Sequence, residues 1–112
     1  MNYTIKLYPT FKKQFKHLLK RYKSLEADTD RLVESLLQSP YQGADLGRGL
    51  RKVRMSIAAK GKGKSGGARV ITLILAYSEE ESEISLLYIY DKSERETLTD
   101  AELTELLRRN GI

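Results

Sequence analysis

The stretch Ala68-Arg-Val-Ile-Thr-Leu-Ile-Leu-Ala-Tyr77 decides the fold. It is almost continuously apolar, the pattern of a central strand covered on both faces; a strand with one face in water would alternate. Immediately upstream, Leu50-Arg-Lys-Val-Arg-Met55 does alternate. Its period of two puts Val53 and Met55 on one face and Lys52 and Arg54 together on the other. Between the two lies Ala59-Lys-Gly-Lys-Gly-Lys-Ser-Gly-Gly67, too rich in glycine for regular structure and therefore a basic loop. Downstream, the acidic turn Ser78-Glu-Glu-Glu-Ser82 leads into a strand predicted over Glu83 to Tyr90.

Towards the N-terminus, Tyr3-Thr-Ile-Lys-Leu-Tyr8 alternates and predicts a first strand with Tyr3, Ile5 and Leu7 inward. Pro9-Thr10 breaks that strand and starts a helix, since proline tolerates a first turn and threonine caps. Phe11, Phe15, Leu18, Leu19 and Tyr22 follow at helical spacing, with Lys12, Lys16, Lys20 and Lys23 along another face. Asp28 or Thr29 is placed to cap a second helix bearing Leu32, Val33, Leu36 and Leu37, stopped at Ser39-Pro40. The two helices read as an antiparallel hairpin, and the glycines of 43, 47 and 49 as a connector. At the other end, Thr99 with Glu102 matches a capping box opening a helix with Leu103, Leu106 and Leu107, ended by Gly111. The expected order is β-α-α-β-β-β-α: an α+β fold with a mostly antiparallel four-stranded sheet, an N-terminal helical hairpin and a C-terminal helix.

At 112 residues, with 40% hydrophobic and 31% charged, the sequence suits one compact domain over residues 1–112 and excludes a disordered or low-complexity chain. It has no internal repeat and no linker long enough for a domain boundary. There is no cysteine and a single histidine, so thiol chemistry is excluded and no metal or other cofactor is expected. No basic segment followed by an apolar run opens the chain, and no apolar stretch is long enough to span a bilayer. The expectation is a cytoplasmic protein with no membrane association.

Charge is segregated. Of the net +5, eight basic residues and no acid fall between Leu46 and Ser78, and seven basic residues and no acid within the first 23 positions. Such segregation favours a polyanionic partner, nucleic acid before anionic membrane, against the alternative of a merely solvated surface. Gly63-Lys64-Ser65 imitates the end of a phosphate-binding P-loop, but Ala58 stands where that motif needs glycine and a strand follows where it needs a helix. His17, mid-helix among lysines, reads as an exposed structural residue. The basic strand-loop-strand remains. Lys52 and Arg54 share a strand face, Arg69 opens the next strand, and Lys60, Lys62 and Lys64 lie in a loop whose glycines admit close backbone approach to a phosphate. A cluster of this kind binds a phosphodiester backbone and stabilises the added negative charge of a pentacoordinate phosphate. Lysine discouraging edge-to-edge aggregation is the competing explanation. Lys52 and Arg69 are expected to lie outside the core.

Gly49-Leu-Arg-Lys-Val-Arg54, Lys60-Gly-Lys-Gly-Lys-Ser-Gly-Gly-Ala-Arg-Val-Ile71 and Leu87-Tyr-Ile-Tyr-Asp-Lys-Ser-Glu94 resemble the RelE/HigB toxins of bacterial type II toxin–antitoxin systems. The loop is closest to the HigB-like branch, which carries a similar Gly-Lys-Gly-Lys-x-Gly-Gly-x-Arg string and a Tyr-x-Lys-x-Glu segment before the last helix. The resemblance spans roughly residues 30 to 110 and implies a small RelE-like toxin domain with the element order already read. It also implies a ribosome-dependent mRNA endoribonuclease, in which the ribose 2′-hydroxyl attacks the adjacent phosphate in the decoding A site. The implied partners are a cognate antitoxin, a small helix-turn-helix protein from the adjacent gene, together with the ribosome and mRNA. Carried over by position, Lys52 assists deprotonation of the 2′-hydroxyl, while Arg54 and Arg69 hold the scissile phosphate. Arg51, Lys60, Lys62, Lys64, Tyr90 and Arg95 are the implied RNA-binding residues. The chain departs from the family at Ser93, where RelE has arginine, at Thr99, where it has tyrosine, and in lacking the catalytic histidines of some HigB proteins. Lys92, Arg95 and Tyr90 are the candidates to substitute, Lys92 as a catalytic residue. The alternatives are a non-catalytic gyrase inhibitor like the related ParE toxins, which lack the basic set, or a plain RNA- or DNA-binding module.

Overall fold

The computed structural model describes residues 2–112. In chain order these form β1 (Asn2–Leu7), α1 (Pro9–Leu19), α2 (Leu25–Gln38), β2 (Ala44–Gly47), β3 (Leu50–Met55), a short 3₁₀ turn (Ala58–Lys60), β4 (Ala68–Ala76), β5 (Glu81–Asp91) and α3 (Asp100–Arg109). The apolar strand β4 lies at the middle of a sheet ordered β1-β5-β4-β3-β2. All pairings are antiparallel except β1 with β5, which run parallel. The fold is α+β as the patterning predicts.

Each face of β4 meets its own core. Ala68 and Val70 pack with Val53 and Met55 under the helical hairpin, against Phe11, Leu18, Leu25, Leu32 and Leu36. Ile71 and Leu73 pack on the opposite face with Leu50, Leu87 and Tyr90 under Leu103 and Leu106 of α3. A bulge at Leu87 changes the phase of β5: Leu86 lies opposite Thr72, yet Tyr88 lies opposite Ile71. Ile84, Leu86 and Ile89 thereby all reach the hairpin core, while Leu87 and Tyr90 reach the other. α3 opens on the expected capping box, with the Thr99 hydroxyl accepting from the Glu102 N–H and the Glu102 carboxylate accepting from the Thr99 N–H.

The structure corrects several expectations. The sheet has five strands rather than four, because Ala44–Gly47 pairs with β3. Glycine and a bulge deprive that segment of any strand signal, and Gly43 is fixed by crowding. At φ +95°, a Cβ there would lie 2.4 Å from the Lys52 carbonyl oxygen. Leu7, expected inward, is 36% exposed because it ends an edge strand just as the chain turns into α1; Tyr8 is buried instead. Thr10 is not a cap: it is buried inside the first turn of α1 and donates to the Leu87 carbonyl at the bulge. α2 begins at Leu25, ahead of Asp28 and Thr29. The Asp28 carboxylate accepts instead from the Ala58 N–H at 3.2 Å, tying the 3₁₀ turn to the helix. Arg69, expected outside the core, is only 6% exposed.

Candidate nucleic-acid interface

α3 covers only part of its face of the sheet, and the uncovered end carries the predicted basic cluster. The alternation of β3 presents Lys52 and Arg54 on this face, and Arg54 lies directly opposite Arg69 of β4. Two like charges opposite each other destabilise a strand pair unless something takes up the charge. Backbone oxygens do so for Arg69, whose guanidinium donates to the carbonyls of Lys64 and Ala68 at 3.0 Å and of Ser65 at 3.2 Å. The buried arginine therefore gathers the glycine-rich loop onto the sheet and leaves Arg54 exposed beside it. Gly67 completes the approach, since a Cβ there would meet the Met55 carbonyl oxygen at 2.0 Å.

The result is an open cleft of about 870 Å³ lined by Lys52, Arg54, Lys64, Arg69 and Lys92, together with Gln42, Ser65, Glu96 and Thr97. Its far wall is the segment between β5 and α3, held down by the Lys92 N–H on the Gly67 carbonyl at 3.1 Å. Lys52 spans the cleft, its Nζ 3.4 Å from Thr97 Oγ1. Lys52, Arg54, Arg69, Lys92 and Lys64 are thus brought together as expected.

The other predicted residues are placed differently. Lys62 is exposed on the loop away from the cleft lining. Arg51 points its guanidinium at the connector, donating to the carbonyls of Gln42 at 3.1 Å and Gly43 at 2.8 Å. Tyr90 is buried, 4% exposed, with its hydroxyl 3.5 Å from the Glu96 carbonyl. Burial pushes its phenol pKa up against the opposing influence of Arg69, so it stays protonated at neutral pH. Arg95 pairs with Glu102 at 2.6 Å and donates to the Thr97 carbonyl, on the wall of a second cleft beside His17. Lys60 lies on the hairpin side of the sheet, its ammonium 2.6 Å from Asp91 and 8% exposed. Burial alone would raise the Asp91 pKa, but hydrogen bonds from Lys60, Tyr22 and Ser93 outweigh it and hold the carboxyl well below its usual range. Sequence reasoning missed Gln42, Glu96 and Thr97, which belong to irregular segments and reach the cleft only through tertiary packing.

The site is a cationic cleft on the sheet of a small α+β fold. Residues 9–110 match the profile of the family described as the RelE toxin of the RelE / RelB toxin–antitoxin system. The chain belongs to the RelE toxin family, and is thus a toxin-antitoxin system toxin with a cognate antitoxin as partner. No helix among the described residues is long and apolar enough to cross a membrane.

Proposed function

We propose that this protein is a ribosome-dependent mRNA endoribonuclease, an enzyme that cuts translated message in the A site and so inhibits translation in the cytoplasm. One observation carries the reading: β3, β4 with its loop, and the segment after β5 converge five cations on the part of the sheet that α3 leaves open. A ParE-like inhibitor has no need of this constellation, and a docking module has no need of its concentration in one cleft. The loop string Gly61-Lys-Gly-Lys-Ser-Gly-Gly67 favours the HigB-like branch. The antitoxin is proposed to be a small helix-turn-helix protein from the neighbouring gene.

In this reading the scissile phosphate lies over Arg54 and Lys52, with Lys92 and Lys64 flanking it. Guanidinium and ammonium groups stabilise the charge that accumulates on the phosphoryl oxygens, and Lys52 favours loss of the 2′-hydroxyl proton by stabilising the resulting oxyanion. Arg69 acts from beneath, by fixing the loop that carries Lys64. Holding the 2′-oxygen in line with phosphorus is worth about 7–11 kcal/mol. An open cleft with its aromatic ring buried cannot impose that alignment on flexible RNA, so the decoding centre supplies it. The test compares one message, free and programmed into ribosomes with an empty A site. Cleavage is expected only on the ribosome, and equal rates in the two samples would replace this mechanism with that of a free ribonuclease.

A further inference from the structure

We infer that Glu96 is the proton acceptor for the ribose 2′-hydroxyl in this cleft, an assignment that rests on the endoribonuclease reading above. The cleft presents a chemical imbalance. Ammonium and guanidinium groups hold their protons at neutral pH and only donate, whereas 2′-hydroxyl attack needs a group that accepts. Glu96 is the one acid among the residues lining the cleft.

Three acids near it in sequence are already committed, and Asp100, in the first turn of α3, lies outside the cleft lining. Asp91 accepts from Lys60, Tyr22 and Ser93. Glu94 pairs with Arg21, and Glu102 with Arg95 and the Thr99 N–H. Among the described residues the Glu96 carboxylate makes no ion pair and accepts no hydrogen bond, although five cations line the same cleft. The backbone beneath it is held from several directions. The Tyr90 hydroxyl lies 3.5 Å from the Glu96 carbonyl, Arg95 Nε donates to the Thr97 carbonyl at 3.2 Å, and Lys52 reaches Thr97 Oγ1. The segment is anchored through the Glu96 and Thr97 carbonyls and the Thr97 hydroxyl, while the Glu96 carboxylate has no partner among the described residues.

The step balances as follows. The 2′-hydroxyl proton passes to a Glu96 carboxylate oxygen as the 2′-oxygen forms its bond to phosphorus. The bond from phosphorus to the 5′-oxygen breaks, and that oxygen takes a proton from one of the cleft's ammonium groups. The products are a 2′,3′-cyclic phosphate and a 5′-hydroxyl, and solvent restores the two side chains. Lys52 and Arg54 stabilise charge in this scheme; Glu96 moves the proton.

The experiment measures single-turnover cleavage of ribosome-bound message by the full chain and by Glu96→Gln, across pH, together with binding to empty-A-site ribosomes. Glu96→Gln is expected to cleave about 10²–10⁴-fold more slowly. Its binding should be no weaker than the parent's, because a negative charge has left a cationic cleft. The pH profile of the parent's rate should be altered in the variant. A residue of merely structural importance would move binding and stability, not the pH profile. If the parent cleaves and Glu96→Gln matches its rate and profile, the assignment to Glu96 is overturned while the endoribonuclease reading stands. A parent that cuts neither ribosome-bound nor free RNA overturns both.

Discussion

Lys60 and Lys64 are four residues apart in one basic loop, and the fold sends them to opposite faces of the sheet. On the hairpin face Lys60 is enclosed, paired with Asp91 and stacked 5.6 Å from the Tyr22 ring centre. On the other face Lys64 stays exposed at the rim of a cleft whose single acid is Glu96. Where helices cover the sheet completely, positive charge is neutralised and serves the fold. Where α3 stops short, the cations lining the cleft make no ion pair among the described residues. A run of similar lysines is therefore not a single functional patch; coverage by neighbouring helices decides what each one does.

The sharpest way to break this contrast is to disturb the covered face. Asp91→Ala leaves Lys60 enclosed without its counter-ion and is expected to destabilise the protein by about 3–5 kcal/mol in denaturant titration. Replacing both, as Asp91→Leu with Lys60→Met, should recover most of that loss, and failure to do so would show that Asp91 stabilises through Tyr22 and Ser93 instead. The same group predicts acid sensitivity. Because the folded state holds the Asp91 pKa below its ordinary value, the stabilisation is fully present above about pH 4, the unfolded carboxylate range, and is lost as pH falls through the folded value. Asp91→Asn should flatten that part of the stability-versus-pH curve.

On the open face, Lys52→Ala and Arg54→Ala should each lower ribosome-dependent cleavage by roughly 10²–10³-fold and relieve growth arrest, with unchanged melting. Arg69→Ala is a poorer probe, because losing its bonds to the Lys64 and Ser65 carbonyls releases the loop as well as the charge. Melting curves separate the two cases: a drop in stability for Arg54→Ala would show that the open face, too, serves the fold.

The gentlest comparison uses the loop pair itself. Lys64→Ser should reduce the log–log salt dependence of ribosome binding by about one unit for each phosphate it no longer neutralises, with stability unchanged. Lys60→Ser should do the reverse, lowering stability while leaving the salt slope intact. Equal slopes for both variants and the parent would remove Lys64 from the RNA interface.

The parts of this molecule legible in sequence are those set by local pattern. The apolar run of β4, the alternation of Lys52 and Arg54 against Val53 and Met55, and the Thr99/Glu102 capping box each state their geometry within a few residues. The parts that were not legible depend on partners far along the chain. Nothing near Lys60 announces Asp91, nothing near Arg69 announces that its guanidinium will turn back onto loop carbonyls, and Gly43 meets Lys52 only because β2 and β3 pair. The same holds for Glu96, one glutamate among several until packing places it in the cleft. Strand alternation was enough to place Lys52 and Arg54 together on one face beside Arg69, but neither pattern nor resemblance could say that Arg69 would be buried or which loop lysine would be enclosed.

The extra residue at Leu87 bears on how this chain can change in length. Upstream and downstream of it, β5 keeps two separate reading frames of inside and outside, joined by one added position. Deleting that residue would restore plain alternation and leave Tyr90 and Asp91 on their present faces, but it would take Leu87 out of the core under α3 and remove the carbonyl that Thr10 binds. Several residues could be added at the exposed tip of the 61–65 loop with less harm than this single deletion, since such a tip adds little closure entropy and puts no side chain into the core. Length variation in relatives of this chain is therefore expected at that tip rather than at the bulge.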